Sequence, residues 1–291
     1  MIQKILVVGA TGMLGEPVAR QLKSDGFQVR VLSRSAERAR NRFGDRFEAV
    51  GGDVEDPASL DSALQTCQGV HINLNGMQDP DMERRGTENV LQAALKVGIQ
   101  RVTYLSGASV CEENCWYAGT KAKFQAEAAI RASGIPYTIF RAHYFMESMK
   151  YLVRGDMALI IGKHPHPYYW AAAADYARLV SKAYATPAAV NKTLYVCGPE
   201  AFTMRQAMQI FTRIVYPEAH FRNIPLWMAT LIARLGNLKE LQAVLPFLHY
   251  CEKAKVLLSG SPDEANVLLG APTTTVEAWS KLQVGVKSKT W

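Results

Sequence analysis

No uninterrupted apolar run in this chain reaches the eighteen or so residues that a membrane-spanning helix requires, so a transmembrane segment is not expected. No block of five or more Lys or Arg occurs either, and the cations are scattered, which argues against nucleic acid as a partner. Cysteine is scarce. The five residues Cys67, Cys111, Cys115, Cys197 and Cys251 are odd in number and lack the spacing of a disulfide framework, pointing to a reducing compartment. A basic leader with a cleavage site is also missing: the chain runs straight into a strand pattern at Ile2–Val8. Repeats and low-complexity tracts are absent. These absences together predict a cytoplasmic globular protein.

What is present fits that class. The 291 residues are 48% hydrophobic and 20% charged, with a net charge of +7, enough to bury a large core and to favour an anionic ligand. Strand and helix patterns alternate through the first half. Strand patterns fall at Ile5–Val8, Gln28–Leu32, Phe47–Val50, Gly69–Leu74, Arg101–Leu105 and Tyr137–Phe140, with helical periodicity between them at Met13–Lys23, Met82–Val97 and Tyr117–Ala132. Such alternation predicts an α/β fold, a Rossmann-type doubly wound parallel sheet with helices on both faces. Beyond residue 141 the rhythm changes to a loop at Gly162–Pro167, helices at Ala174–Ala185 and Thr203–Ile214, a strand at Thr193–Cys197, and mostly helix after Pro225. The expected organisation is a nucleotide-binding core over 1–141 and a smaller, mostly helical substrate region over 142–291, partly interwoven with the sheet.

The segment Gly9-Ala10-Thr11-Gly12-Met13-Leu14-Gly15 joins the first strand to the first helix, which makes it a candidate dinucleotide loop. Gly9 permits the tight turn, Gly12 lets backbone approach a pyrophosphate, and Gly15 lets helix and strand pack closely. Residues Thr11, Met13 and Leu14 complete the loop, whose free N–H groups face the anion. The second strand ends in Leu32-Ser33-Arg34-Ser35 without the acid that normally holds the ribose hydroxyls of NAD. Arg34, helped by Arg38, suits the 2′-phosphate instead, so the predicted cofactor is NADP(H). Asp53 and Val54 after the third strand are candidates for the adenine. Asn75 follows the fourth strand, at the crevice where such sheets bind ligands, and His143 and Tyr144 follow the sixth, beside nicotinamide or substrate.

Tyr117 and Lys121 are four residues apart, so on a helix they share one face. No other tyrosine among the 12 has a lysine at this spacing. A nearby ammonium would lower the phenol pKa toward use as a general acid. At this point the chain resembles the short-chain dehydrogenase/reductase superfamily and, within it, the atypical NmrA-like group. The marks are the GATGMLG loop, Gly52-Asp53-Val54, Tyr104-Leu105-Ser106-Gly107, the Tyr117/Lys121 pair and Pro136-Tyr137-Thr138-Ile139-Phe140-Arg141. The likeness covers at least the first 200 residues and continues more weakly through Asp175–Ala185 and Leu269-Gly270-Ala271-Pro272.

That resemblance implies a Ser/Tyr/Lys arrangement. Tyr117 would protonate the substrate oxygen as hydride leaves the nicotinamide, Lys121 would hold the nicotinamide ribose and tune Tyr117, and Ser106, or alternatively Ser109, would hold the carbonyl. The expected function is NADPH-dependent reduction of a small-molecule substrate, an apolar carbonyl, enone or quinone. The alternative, because many NmrA-like members lack the tyrosine, is a non-catalytic NADP(H) sensor or assembly factor. A homodimer or a protein partner stays open. Cys111 and Cys115 have the wrong gap for a redox pair, and His164 and His166 sit in a Pro-rich loop; no metal site is expected. Tyr168-Tyr169-Trp170 reads equally as pocket lining or core. The segment Pro225–Ala233, apolar all round, reads as a buried helix or a lid, with a role at a membrane surface as the outside alternative.

Overall fold

The computed structural model describes residues 2–76, 78–254 and 260–285. The first half alternates as expected: β1 (Lys4–Val8), α1 (Gly15–Ser24), β2 (Gln28–Ser33), α2 (Ala36–Phe43), β3 (Glu48–Gly51), α3 (Pro57–Leu64), β4 (Gly69–Ile72), α4 (Pro80–Val97), β5 (Arg101–Gly107), α5 (Ala118–Ala132) and β6 (Tyr137–Ala142). The second half adds β7 (Tyr144–Phe145), β8 (Val153–Arg154), β9 (Met157–Ile161), β10 (Tyr168–Ala171), α6 (Ala173–Ala185), β11 (Lys192–Val196), β12 (Ala201–Phe202), α7 (Met204–Val215) and β13 (His220–Ile224). Four helices follow: α8 (Leu226–Leu235), α9 (Lys239–Lys253), α10 (Asp263–Leu269) and α11 (Val276–Lys281).

Seven strands form one parallel sheet in the order β11-β6-β5-β4-β1-β2-β3. The order reverses between β1 and β4, which opens a crevice beyond their carboxyl ends. The seventh strand, β11, comes from beyond residue 141. Alternation along β1 feeds two cores: Ile5 and Val7 join Val18, Ala19 and Leu22 of α1 and Tyr176 and Val180 of α6, while Leu6 and Val8 join Leu60, Val90, Ala94 and Ile130 on the other face. Burying strands on both sides explains their continuous apolar runs.

The C-terminal region is helical but also holds two three-stranded sheets, β12-β10-β7 and β13-β9-β8, which the sequence patterns did not predict. Their strands are two to five residues long, too short to carry a readable period. A third core of Met146, Met149, Trp170, Met208, Phe211 and Trp279 sits there. Tyr168 and Trp170 are buried in it, so the core reading of these two rings is the one the structure supports. The Glu147 carboxylate accepts both the Ala173 N–H at the start of α6 and the Trp279 indole N–H, tying α11 to the body.

Candidate cofactor and substrate site

Each glycine of the loop between β1 and α1 answers to a different demand. Gly9 has φ of +77°, and a Cβ there would lie 1.9 Å from the Asn73 carbonyl oxygen beyond β4. A Cβ at Gly15 would lie 2.1 Å from the Gly9 carbonyl oxygen, so helix and strand touch only because this side chain is missing. Gly12 differs from both: a Cβ there would meet only the Gly9 oxygen, at 3.2 Å. The protein itself hardly requires glycine at that position, and the free space faces outward. The start of α1 has no side-chain cap at Leu14, which leaves its N–H groups unclaimed by a side chain. A cradle of this kind, with backbone donors and one dispensable glycine, fits a pyrophosphate.

At the end of β2, Arg34 and Arg38 are exposed, and among the described residues neither guanidinium has a hydrogen bond or ion pair. The Ser35 hydroxyl caps α2 by accepting the Arg38 N–H. Arg42, by contrast, is paired with Glu16. Asp25, near the usual offset for a ribose-binding acid, lies in the turn before β2, at the opposite end of the strand from Arg34, and accepts the Ser181 hydroxyl at 2.5 Å. Asp53 uses one carboxylate oxygen to accept the Glu55 N–H, a turn contact. Val54 is buried in the core, and its carbonyl accepts from Asn89. Asn75 is exposed beyond β4.

The catalytic candidates are arranged differently from expectation. Helix α5 begins at Ala118, and Tyr117 is its N-cap in an extended conformation. The Tyr117 ring folds back over Gly119, where an added Cβ would lie 2.8 Å from it. Its outer face stacks on Tyr250 of α9, with centroids 4.7 Å apart, and Phe247 lies at 6.3 Å. Lys121 is exposed; its backbone N–H donates to the Tyr117 carbonyl at 2.9 Å, but among the described residues its ammonium shares no hydrogen bond with the Tyr117 hydroxyl. Burial therefore dominates the phenol, helped by the neighbouring Cys251 and Tyr250, and pushes its pKa up to about 12. The Tyr/Lys spacing predicted a lowered value. Tyr117 stands at the N-cap with an extended backbone, outside the helical geometry that the four-residue spacing assumes.

Ser106 is not brought to Tyr117. It is buried, and its hydroxyl donates to Glu127 at 2.6 Å, inside the ion pair that Glu127 makes with Arg141. Ser109, the alternative serine, lies beside the aromatic cluster around Tyr117: its hydroxyl accepts from the Tyr250 hydroxyl at 2.7 Å. His143 accepts the Tyr169 N–H, and the Tyr144 ring packs at 4.7 Å from Tyr168 and 5.3 Å from Trp170. Tyr144 also meets the Cys251 sulfur at 3.0 Å. Burial raises the pKa of Tyr144 and lifts the Cys251 thiol to about 11.

The expectation of helix after Pro225 covers α9, but sequence reasoning did not bring that helix to the site. Phe247, Tyr250 and Cys251 stand at helical spacing and supply one wall of the aromatic cluster. The i, i+3, i+4 stripe was the available signal, but a stripe does not say which loop it will cover. Cys111 and Cys115 are free thiols, both raised by burial. His164 bonds the Ile161 carbonyl, and no group of three or more metal-ligating side chains exists among the described residues.

Comparison with known proteins gives this geometry its context. Residues 1–277 match the family model described as the NmrA-like family. The chain is 30% identical over 223 residues to a (4-alkanoyl-5-oxo-2,5-dihydrofuran-3-yl)methyl phosphate reductase of Streptomyces griseus, covering 76% of this chain and 77% of that protein. It is 22% identical over 246 residues to a photosystem II assembly factor of Trieres chinensis, covering 81% and 76%. Among solved structures, an NADPH-dependent quinone oxidoreductase of Escherichia coli, complexed with NADPH, superposes with a TM-score of 0.79 at 21% identity, covering 96% of this chain and 99% of that one. A likeness at that identity speaks to the fold.

Proposed function

The chain belongs to the NmrA-like family, and on that footing we propose that it is an NADPH-dependent reductase of a small apolar carbonyl, enone or quinone. The observation that carries the reading is the pairing of the open Gly12 cradle with an aromatic cluster at the same end of the sheet. Bound there, NADPH supplies hydride. Gly9, Thr11, Gly12, Met13, Leu14 and Gly15 hold the pyrophosphate, and Arg34 meets the 2′-phosphate. Asp53 and Val54 border the adenine, and Asn75 the ribose and nicotinamide. Lys121, exposed on the first turn of α5, is assigned to the nicotinamide ribose and no longer to Tyr117. His143, Tyr144 and Ser109 border the substrate. The reductase name of the Streptomyces griseus relative agrees with this class of reaction.

Tyr117 stays protonated far above neutrality, so it offers an O–H to the acceptor oxygen but is a weak acid. A donor whose pKa lies well above the working pH contributes little to proton transfer in the transition state. The site thus favours acceptors whose reduced anion is delocalised, such as quinones, over simple ketones. The test is turnover of quinones, enones and aldehydes with NADPH, followed by Tyr117→Phe on each active compound. The variant is expected to keep NADPH affinity and to lose about tenfold to a hundredfold on carbonyls, at or below the low end for a positioned acid, and less on quinones. Tight NADPH binding with no turnover of any compound would overturn the enzyme reading.

One observation favours a second reading, an NADP(H)-responsive regulator: Phe247 and Tyr250 lie against the face of Tyr117 where substrate would stack. Under it, the same screen yields binding alone.

A further inference from the structure

Helix α8 is built inside out. Its inward side is made of Ala229 and Ala233, both buried, and the large apolar side chains face away from the protein. Trp227 is 68% exposed, Leu231 50%, Ile232 43% and Leu235 80%, with Met228 beside them at 36% and Leu238 just past the helix at 45%. Positions 227, 228, 231, 232 and 235 form one stripe at helical spacing, about 12 Å long at the usual rise. Monomeric soluble proteins rarely expose a contiguous apolar strip without using it. The expectation of a buried helix for this segment is corrected accordingly: its packing side holds only Ala229 and Ala233 fully buried, with Leu226 and Thr230 half-buried, and the Ala233 carbonyl accepts from Gln242 of α9.

The charges around the strip select its occupant. Arg222, Arg234 and Lys239 are all exposed, and no Asp or Glu occurs from Ala219 through Lys239. A second copy docking through the same face would set this cationic rim against itself, since a two-fold interface pairs identical patches. An anionic surface with an apolar interior answers both features. Tryptophan suits the boundary between headgroups and acyl chains, with Arg and Lys reaching the phosphates. No helix among the described residues is long and apolar enough to cross a membrane, so α8 lies on a surface and does not span it.

We propose that the Trp227/Leu231/Leu235 face of α8, rimmed by Arg222, Arg234 and Lys239, docks on an anionic lipid bilayer. This goes beyond the reductase reading and does not depend on it. The docked helix is joined to α9 by a short turn, and α9 carries Phe247, Tyr250 and Cys251 in the aromatic cluster, so bilayer contact and substrate site share one helical hairpin.

The experiment is flotation of the full-length protein with vesicles of phosphatidylcholine alone and of phosphatidylcholine with about a third phosphatidylglycerol, a lipid that supplies the negative surface potential. The protein is expected to float with the anionic vesicles. The double variant Trp227→Asp/Leu231→Asp should lower partitioning by at least about tenfold, and Arg234→Glu, which leaves the apolar strip intact, should lower it a few-fold and weaken its dependence on salt. Both variants are checked for an unchanged cooperative melt. Failure of the wild-type protein to float, or flotation unaffected by both variants, would overturn the proposal. So would a concentration-dependent dimer that the double variant dissolves while no vesicle binding is seen, which would give the face to a second copy.

Discussion

Two alanine substitutions with different expected effects, only three residues apart in sequence, test the phosphate cradle: Gly12→Ala and Gly15→Ala. At Gly15 the new methyl would lie 2.1 Å from the Gly9 carbonyl oxygen, 2.7 Å from its carbon and 2.9 Å from the Ala10 Cα. All three are backbone atoms, so α1 must move off β1, and overpacking of this kind costs about 1–3 kcal/mol or more. At Gly12 the only neighbour is the Gly9 oxygen at 3.2 Å, which a shift of a few tenths of an ångström relieves. Restricting the unfolded chain returns about 0.4–1 kcal/mol, so the ligand-free protein should be nearly unchanged. The Gly12 methyl instead meets the incoming pyrophosphate, and we expect NADPH to bind at least about tenfold more weakly, roughly 1.4 kcal/mol. Thermal melts separate these effects. At about 100 times its Kd a ligand stabilises by about 2.7 kcal/mol, or about 5–10 °C at roughly 2–4 °C per kcal/mol for a chain of this size. Gly12→Ala should melt like the wild type without ligand and lose about half of that gain at the same NADPH concentration. Gly15→Ala should melt several degrees lower before any ligand is added. An undiminished NADPH shift in Gly12→Ala would refute the cradle, and a neutral Gly15→Ala would refute the packing argument.

Arg34→Glu removes an exposed guanidinium with no partner among the described residues, so folding should be unaffected; calorimetry should find NADPH weakened by about 1.5–3 kcal/mol, the worth of a charged hydrogen bond, with NADH nearly unchanged, and equal losses would take Arg34 out of the site. His71 is fully buried on β4, bonded to the Thr103 hydroxyl, and burial holds its pKa down to about 3. Below the unfolded value near 6.5, the unfolded chain takes up a proton that the folded one refuses, so the histidine costs stability as pH falls from about 6.5 toward 3. That amounts to about 2 kcal/mol between pH 7 and pH 5. Urea unfolding of His71→Gln should lack this part of the decline, and an identical pH dependence in the variant would mean that His71 is protonated in the folded state.

The sequence by itself determined what depends on neighbours along the chain. A run such as Ile5–Val8 can be buried on both faces only in a covered parallel sheet, so the α/β order was legible. Gly9 and Gly15 were readable for the same reason, because a turn from strand to helix imposes its backbone conformation and clearance within seven residues. The missing acid after β2 is likewise a local fact. Tertiary structure decided everything that required two distant segments to meet. Ser106 and Ser109 are three residues apart and chemically equal, yet Glu127 of α5 draws the first into the interior while Tyr250 of α9 claims the second. Spacing put Tyr117 and Lys121 on one face of a helix, but Tyr117 is an extended N-cap, and burial under the rings of α9 then set the phenol pKa. An apolar helix reads the same whether it is buried or bare. Only the burial of Ala229 and Ala233 turned the large side chains of α8 outward, because which face of a helix is buried is fixed by the surface it meets, and that surface lies elsewhere in the chain.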